Sequence, residues 1–346
     1  MDLGRGWFGL SLQTPQVVVV ALPDKGCDIY SWTDRSTGLD VLFKSPWGLP
    51  SNLPGSWHTD SQAAWLAQYP GGWQVICPNG GAESDAPGGA RWGFHGEACT
   101  LRWDVDDIGV DGETSWAVLS TRLRRAPLIL QRRIALRDRT LTIDESVTNV
   151  SAESLEFMWS HHPAFGAPFL EPGCRIATGA REIVADDQAP GTLLAAASKH
   201  SWPLATAADG SDVDLSTIPA ADATRSNLAY LAGFDEGWFT ITNARLGLGV
   251  GVRWPAATFP YAWLWQEMHS SPGYPWWRQA YVCAIEPASS IPAQGLDAVR
   301  RKGGPLVHLS GGETRSAVIE AVLFAMPESP AGDSDRWPWT STSRSE

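Results

Sequence analysis

The stretch Leu141-Thr142-Ile143-Asp144-Glu145-Ser146-Val147 decides how this chain folds. With one exception its apolar side chains fall on alternate positions, the period of a half-solvated strand rather than of a helix. Immediately upstream, Arg137-Asp138-Arg139 reads as a hairpin turn. Residues 115–122 and 128–136 add strands at close spacing, and the quoted stretch extends over 140–150. Working outward, residues 17–22 form a buried-strand candidate that ends at Pro23 and the Asp24-Lys25-Gly26 turn. Extended runs follow at 27–32, 155–162, 238–242, 246–253, 261–265, 279–286 and 318–324. Gly247, Gly249 and Gly251 inside a strand pattern predict close packing of another backbone or a bend. Helical signals are confined to 61–68 and 296–301. The expected class is therefore all-β, a large antiparallel sandwich or barrel with few short helices. Residues 1–325 read as one domain. Residues 326–346 carry Pro, Ser, Asp and Gly without periodicity and read as a mobile tail, with Trp337 and Trp339 available for docking.

Composition narrows the function. Among 346 residues, 26 Lys+Arg against 38 Asp+Glu give a net charge of −12, which argues against a binder of nucleic-acid backbones. Hydrophobic content of 43% supports a large core, and 18% charged residues is too few for a disordered chain. No apolar run reaches the length of a membrane span. The first residues lack the features of a secretory signal, so a cytoplasmic location is expected. Cys27, Cys77, Cys99, Cys174 and Cys283 are odd in number and form no CxxC pair, which suits a reducing compartment. The 19 Trp supply flat faces suited either to packing or to sugar rings.

Several chemistries lack their motifs. There is no G-x-S-x-G elbow, no phosphate-cradling G-x-x-x-x-G-K-[ST] and no HExxH. The seven histidines show no metal-ligand spacing, so no metal or redox cofactor is expected. Three residues stand out for proton transfer. His162 lies late in an apolar strand, where Pro163 is expected to end the pairing and leave it at a sheet rim. His161 must then face the opposite side. His95 is flanked by Gly93 and Gly96, which allow close approach of a ligand or backbone. Glu286 ends the apolar run Tyr281-Val282-Cys283-Ala284-Ile285, where a carboxylate is costly to bury without a partner. Each also has a purely structural reading, as a hydrogen-bonded His, a turn His and a rim Glu.

Seven segments in order resemble the aldose 1-epimerase (galactose mutarotase-like) family. They are Leu22-Pro23-Asp24-Lys25-Gly26-Cys27-Asp28-Ile29 with Asp34 to Gly38; Gly71-Gly72-Trp73-Gln74 onward to Gly81; Gly93-Phe94-His95-Gly96; Leu141 to Asn149 with His162-Pro163-Ala164-Phe165; Gly233-Phe234-Asp235; Ile285-Glu286-Pro287; and Leu309-Ser310-Gly311-Gly312-Glu313. The resemblance implies a galactose mutarotase-like β-supersandwich that interconverts sugar anomers without a cofactor. It implies that Glu286 is the base, His162 the acid, and His95 a histidine near the ring oxygen. Asp235 would hold sugar hydroxyls, although Asp235-Glu236-Gly237 departs from the family's Asp-His. Gln74, Arg91, Trp265 and Trp276 are further candidates for sugar contacts.

The family's phosphate-handling branch usually carries Arg where this chain has Tyr69-Pro70 and Glu97-Ala98. Glu97 would repel a phosphate, so a neutral monosaccharide is favoured, with Arg91 or Arg278 as the cations that could reverse this. Trp57, Trp65, Trp73, Trp263, Trp265, Trp276 and Trp277 are candidate cleft walls. The alternatives are a sugar-binding or sensing protein on the same fold, or a glycosidase or lyase with Asp235 or Glu267 as a second carboxylate. The expected partner is a small sugar, with no nucleic acid and no membrane, and the chain acts as a monomer or homodimer.

Overall fold

In the computed structural model, residues 1–52, 60–189 and 191–326 are described. The expectations for Trp57 and for the tail from residue 327 lie outside them. Thr140–Asn149 pairs antiparallel with Leu128–Arg137 across the turn at Asp138 and Arg139. Leu141, Ile143 and Val147 are buried on one face, as the alternation predicts, and so is Glu145, the exception to the apolar period. Glu145 tolerates that position because Arg132, also on an inward position, donates from Nε at 2.6 Å. Trp159 Nε1 donates to its other oxygen at 2.7 Å. A buried carboxylate needs such partners to remain charged.

This strand pair belongs to an eight-stranded antiparallel sheet. Its order is Asp104–Asp111, Thr114–Arg122, Leu128–Arg137, Thr140–Asn149, Thr314–Ala325, Leu248–Trp254, Gly237–Asn243 and Arg175–Thr178. A second sheet has eleven strands, with Tyr261–Met268, Tyr281–Ala288, Ser160–Gly166, Trp73–Ile76, Asp28–Asp34 and Val17–Leu22 running side by side through its middle. The main hydrophobic cluster draws on both sheets, with Val19, Trp73 and Ile285 from one and Leu130, Ile143 and Val250 from the other. The two helices, Ser61–Ala67 and Leu296–Lys302, lie where the sequence predicts them. At Gly249 a Cβ would stand 2.3 Å from the Phe324 ring, so the close neighbour is a side chain rather than backbone.

One expectation fails. Pro163 does not end its strand, which runs on from Ser160 to Gly166. Its missing N–H instead interrupts one ladder. Pairing with Tyr281–Ala288 holds at Ser160↔Ala288 and resumes at Ala164↔Ala284, while Pro163 stays in register with Trp73 on the other side. His162 therefore sits mid-sheet, not at a rim. His161 points between the sheets, where its Nδ1 accepts from Trp73 Nε1 at 3.2 Å and its Nε2 lies 3.6 Å from Glu145. Burial pulls that imidazole down to about 4.

Candidate active site

Strand register sets one row of polar side chains across four neighbouring strands. The pairs Ser160↔Ala288 and Ala164↔Ala284 place His162 opposite Glu286. His162 is paired with Gln74, and Ile29↔Trp73 sets Asp28 beside Gln74. Opposed residues on antiparallel strands share a face. The contacts agree: His162 Nε2 lies 3.5 Å from Glu286 Oε1, and Gln74 Nε2 donates to Asp28 Oδ2 at 2.7 Å. Lys25, in the turn before the Asp28 strand, donates to the same Asp28 oxygen and, at 3.0 Å, to the Cys99 carbonyl.

His95 reaches this row from a loop. Its backbone takes a positive φ of 57°, and Gly96 follows at 72°. A Cβ on Gly96 would stand 2.3 Å from the Cys77 carbonyl oxygen, so this turn requires glycine. Gly81 N donates to His95 Nδ1 at 3.1 Å, which leaves Nε2 as the protonated nitrogen of a neutral ring. The His95 and His162 rings are 6.0 Å apart.

An aromatic roof closes over the row. Trp65, on Ser61–Ala67, stacks on Tyr69 at 4.6 Å and meets the His95 ring edge-on at 4.7 Å. Tyr69 meets His162 at 5.6 Å. Trp265 lies 5.8 Å from His162 and 5.7 Å from Trp276, which stacks on Trp47. Trp276 belongs to a loop anchored by Glu267, whose carboxylate accepts from the Ser271 backbone at 3.0 Å and its hydroxyl at 2.6 Å. A cavity of about 480 Å³ is lined by Trp65 and Phe94 together with Glu97 and Arg124, and not by His162 or Glu286.

Beneath the roof, polar atoms are left without partners. Asp28 Oδ1, Gln74 Oε1, His162 Nδ1, Glu286 Oε2 and Tyr69 OH are all buried and make no hydrogen bond. Each such atom costs about 1–3 kcal/mol. Burial also sets the charges. It pushes the Glu286 carboxyl well above the usual carboxylate range. It pulls His162 down to about 4, with Lys25 adding to the effect, and holds His95 well below the ordinary imidazole value, with His162 adding there. Among the described residues, no group of three or more His, Cys, Asp or Glu gathers to hold a metal. None of their helices is long and apolar enough to cross a membrane.

The sequence candidates divide. Glu286, His162, His95, Gln74, Trp265 and Trp276 converge, with Trp65 beside them. Asp235 does not. Its segment crosses from the second sheet to the first, Phe234 packs on Trp254, and the Asp235 side chain turns outward, 80% exposed and paired with Arg181. It lines a groove with Arg253 and Val318 on the eight-stranded sheet. Asp235→Asn should therefore leave any activity at the His162–Glu286 pair unchanged, as steady-state rates would show.

Arg91 also lies apart, 63% exposed and paired with Glu83 at 2.8 Å. Arg278 is spent on the His269 carbonyl at 3.1 Å. Glu97 accepts from the Arg125 backbone at 2.7 Å and lines the cavity beside Phe94 rather than the row. Trp73 and Trp263 pack in the core, and Trp277 is exposed. Sequence reasoning missed Lys25, Asp28, Tyr69 and Trp47 as site residues. The signal was available for Asp28, a carboxylate beside a buried apolar run, as it was for Glu286.

These features define a class: an antiparallel β-sandwich of the galactose mutarotase-like kind, with a His–Glu pair at the centre of one sheet. A galactose mutarotase-like protein from Lactobacillus casei ATCC 334 is 16% identical, with 92% of this chain and 100% of that chain covered at a TM-score of 0.62. A galactose mutarotase related enzyme from Lactobacillus acidophilus is 17% identical, with 92% and 98% covered at 0.60. The Slr1438 protein from Synechocystis sp. PCC 6803 is 15% identical, with 92% and 96% covered at 0.66. The resemblance read from the sequence is thus borne out at the level of the fold. The chain belongs to the family described as a domain of unknown function, DUF4432, whose model matches residues 4–323. No curated protein matches it.

Proposed function

We propose that this protein is an aldose 1-epimerase, interconverting the α and β anomers of a neutral monosaccharide. The observation that carries the reading is the His162–Glu286 contact of 3.5 Å, buried beneath aromatic rings and with polar atoms left open on both groups. A mutarotase must remove the proton from the C1 hydroxyl and deliver one to the ring oxygen as the C1–O5 bond breaks. Rotation about C1–C2 then presents the other aldehyde face, and the transfers reverse. One proton leaves the sugar and one enters it, so the pair ends with the proton count it began with.

Burial raises the Glu286 carboxyl and lowers the His162 imidazole, and the proposed mechanism has the pair share one proton. The tautomer in which His162 holds the proton matches the family roles of imidazole acid and carboxylate base. A sugar hydroxyl donating to Glu286 favours it, because hydrogen bonds to a carboxylate stabilise the charged form. His95, neutral and donating from Nε2, can steady an oxygen of the ring. Trp65 and Trp265 supply faces for its C–H groups. A glycosidase reading is weaker, since Glu267 is engaged by Ser270 and Ser271 and Asp235 is remote.

Exchange NMR between the α and β signals of an aldose panel tests the activity. Acceleration above the buffer rate is expected for at least one neutral aldose. Binding without acceleration would support the sensor reading instead. The pH profile of kcat should be bell-shaped. Its acid limb falls as the pair takes a second proton, with His162 at about 4. Its alkaline limb falls as the shared proton is lost, above the ordinary carboxylate range. A single limb centred near pH 6.5 would contradict the one-proton pair.

A further inference from the structure

The row does not stop at the reacting pair. It continues over two more strands to Gln74 and Asp28, and nothing in the proton chemistry requires them. Both are fully buried and both carry an acceptor with no partner, Gln74 Oε1 and Asp28 Oδ1. The arrangement is built rather than incidental. Asp28 Oδ2 takes the Gln74 amide N–H at 2.7 Å, which fixes the amide so that its oxygen lies on the other arm. Lys25 holds that same Asp28 oxygen and is itself tied to the Cys99 carbonyl, while Oδ1 lies against Gly26, where a Cβ would stand 2.6 Å from it, so the carboxylate that orients the Gln74 amide is itself fixed. Strands are spaced about 4.8 Å apart, so these acceptors stand roughly one and two strand spacings beyond His162.

We infer that Gln74 forms the hydroxyl-binding end of the site and determines which aldose it accepts, with Asp28 and Lys25 positioning its amide. The inference rests on the epimerase reading and assigns the residue that selects its substrate. A fixed acceptor requires a donor, which a hydroxyl of an unsubstituted aldose supplies on a carbon remote from C1. A phosphate or carboxylate there has no hydrogen to give and would face the Asp28 carboxylate, while the Lys25 charge is already paired with Asp28. Selection against sugar phosphates thus comes from this end of the row and not from Glu97, whose carboxylate is taken up by the Arg124 and Arg125 backbone.

Gln74→Met tests this, because it keeps a similar volume and removes the acceptor. The readout is kcat and KM by exchange NMR for a neutral aldose, its single-deoxy analogues and its terminal phosphate. An unpaired buried acceptor costs about 1–3 kcal/mol, so the wild type should disfavour one deoxy analogue by roughly 5- to 150-fold in kcat/KM. Gln74→Met should lose a similar factor on the parent aldose and nothing further on that analogue. Lys25→Met/Asp28→Asn, which leaves no buried charge unpaired, should weaken the same discrimination by loosening the Gln74 amide, with thermal melting confirming its fold. If that double variant does not fold, Gln74→Met alone decides. Equal losses on the parent and every deoxy analogue, or none, would overturn the inference. A wild type inactive on every aldose would instead sink the epimerase reading.

Discussion

Glu286→Gln should lower kcat/KM for the proposed anomer exchange by about 10²- to 10⁴-fold, the usual contribution of one positioned proton-transfer group. The substitution keeps the volume of a side chain that is 2% exposed, so the fold is retained. What is lost is the ability to take a proton at the position facing His162. His162→Asn should cost a comparable factor. The double variant should be little worse than the poorer single one, because the two groups share one proton and act as a unit. Circular dichroism spectra that match the wild type would assign the loss to chemistry. Full activity of Glu286→Gln would place the base elsewhere.

Arg132→Met destabilises the protein by roughly 3–5 kcal/mol, because it leaves the buried Glu145 carboxylate without its cation. Arg132 and Glu145 are each about 1% exposed, and the guanidinium also holds the Cys27 carbonyl at 3.1 Å and lies over the Trp103 ring. Arg132→Met/Glu145→Met should recover only part of the loss. Trp159 Nε1 then lacks its acceptor, and His161 loses the carboxylate beside it. Urea midpoints of the three proteins measure this. A single variant within 1 kcal/mol of the wild type would show that the Arg132–Glu145 pair contributes little to stability.

The strands were legible because period-two burial is written locally. Leu141, Ile143 and Val147 announce their face, and the turn at Asp138 is short. The reacting pair was legible for another reason: His162 and Glu286 are polar residues in apolar runs, a cost that points to a purpose. The hydroxyl-binding end was legible in part: Gln74 was a candidate for sugar contacts, while Asp28 was not, although Asp28 breaks an apolar context in the same way. Its meaning depends on Gln74 standing beside it, and register between strands more than forty residues apart is not a local property. Asp235 misled for the converse reason. A short Gly-aromatic-Asp motif says nothing about which way a crossover turns its side chain, and here Phe234 packs on Trp254 while Asp235 faces water. Pro163 misled because its missing N–H removes a donor on one side of the strand only. The ladder to Trp73–Ile76 carries the chain through.

The central claim is spatial: one imidazole and one carboxylate serve the same anomeric centre. A crystal structure of the Glu286→Gln variant with a reducing aldose tests it most directly. The account predicts the sugar beneath Trp65 and Trp276, with its C1 oxygen and ring oxygen each within hydrogen-bonding distance of position 286, His162 or His95. A sugar bound in the cavity beside Glu97 and Arg124, or in the groove beside Asp235, with His162 out of reach of both oxygens, would contradict it.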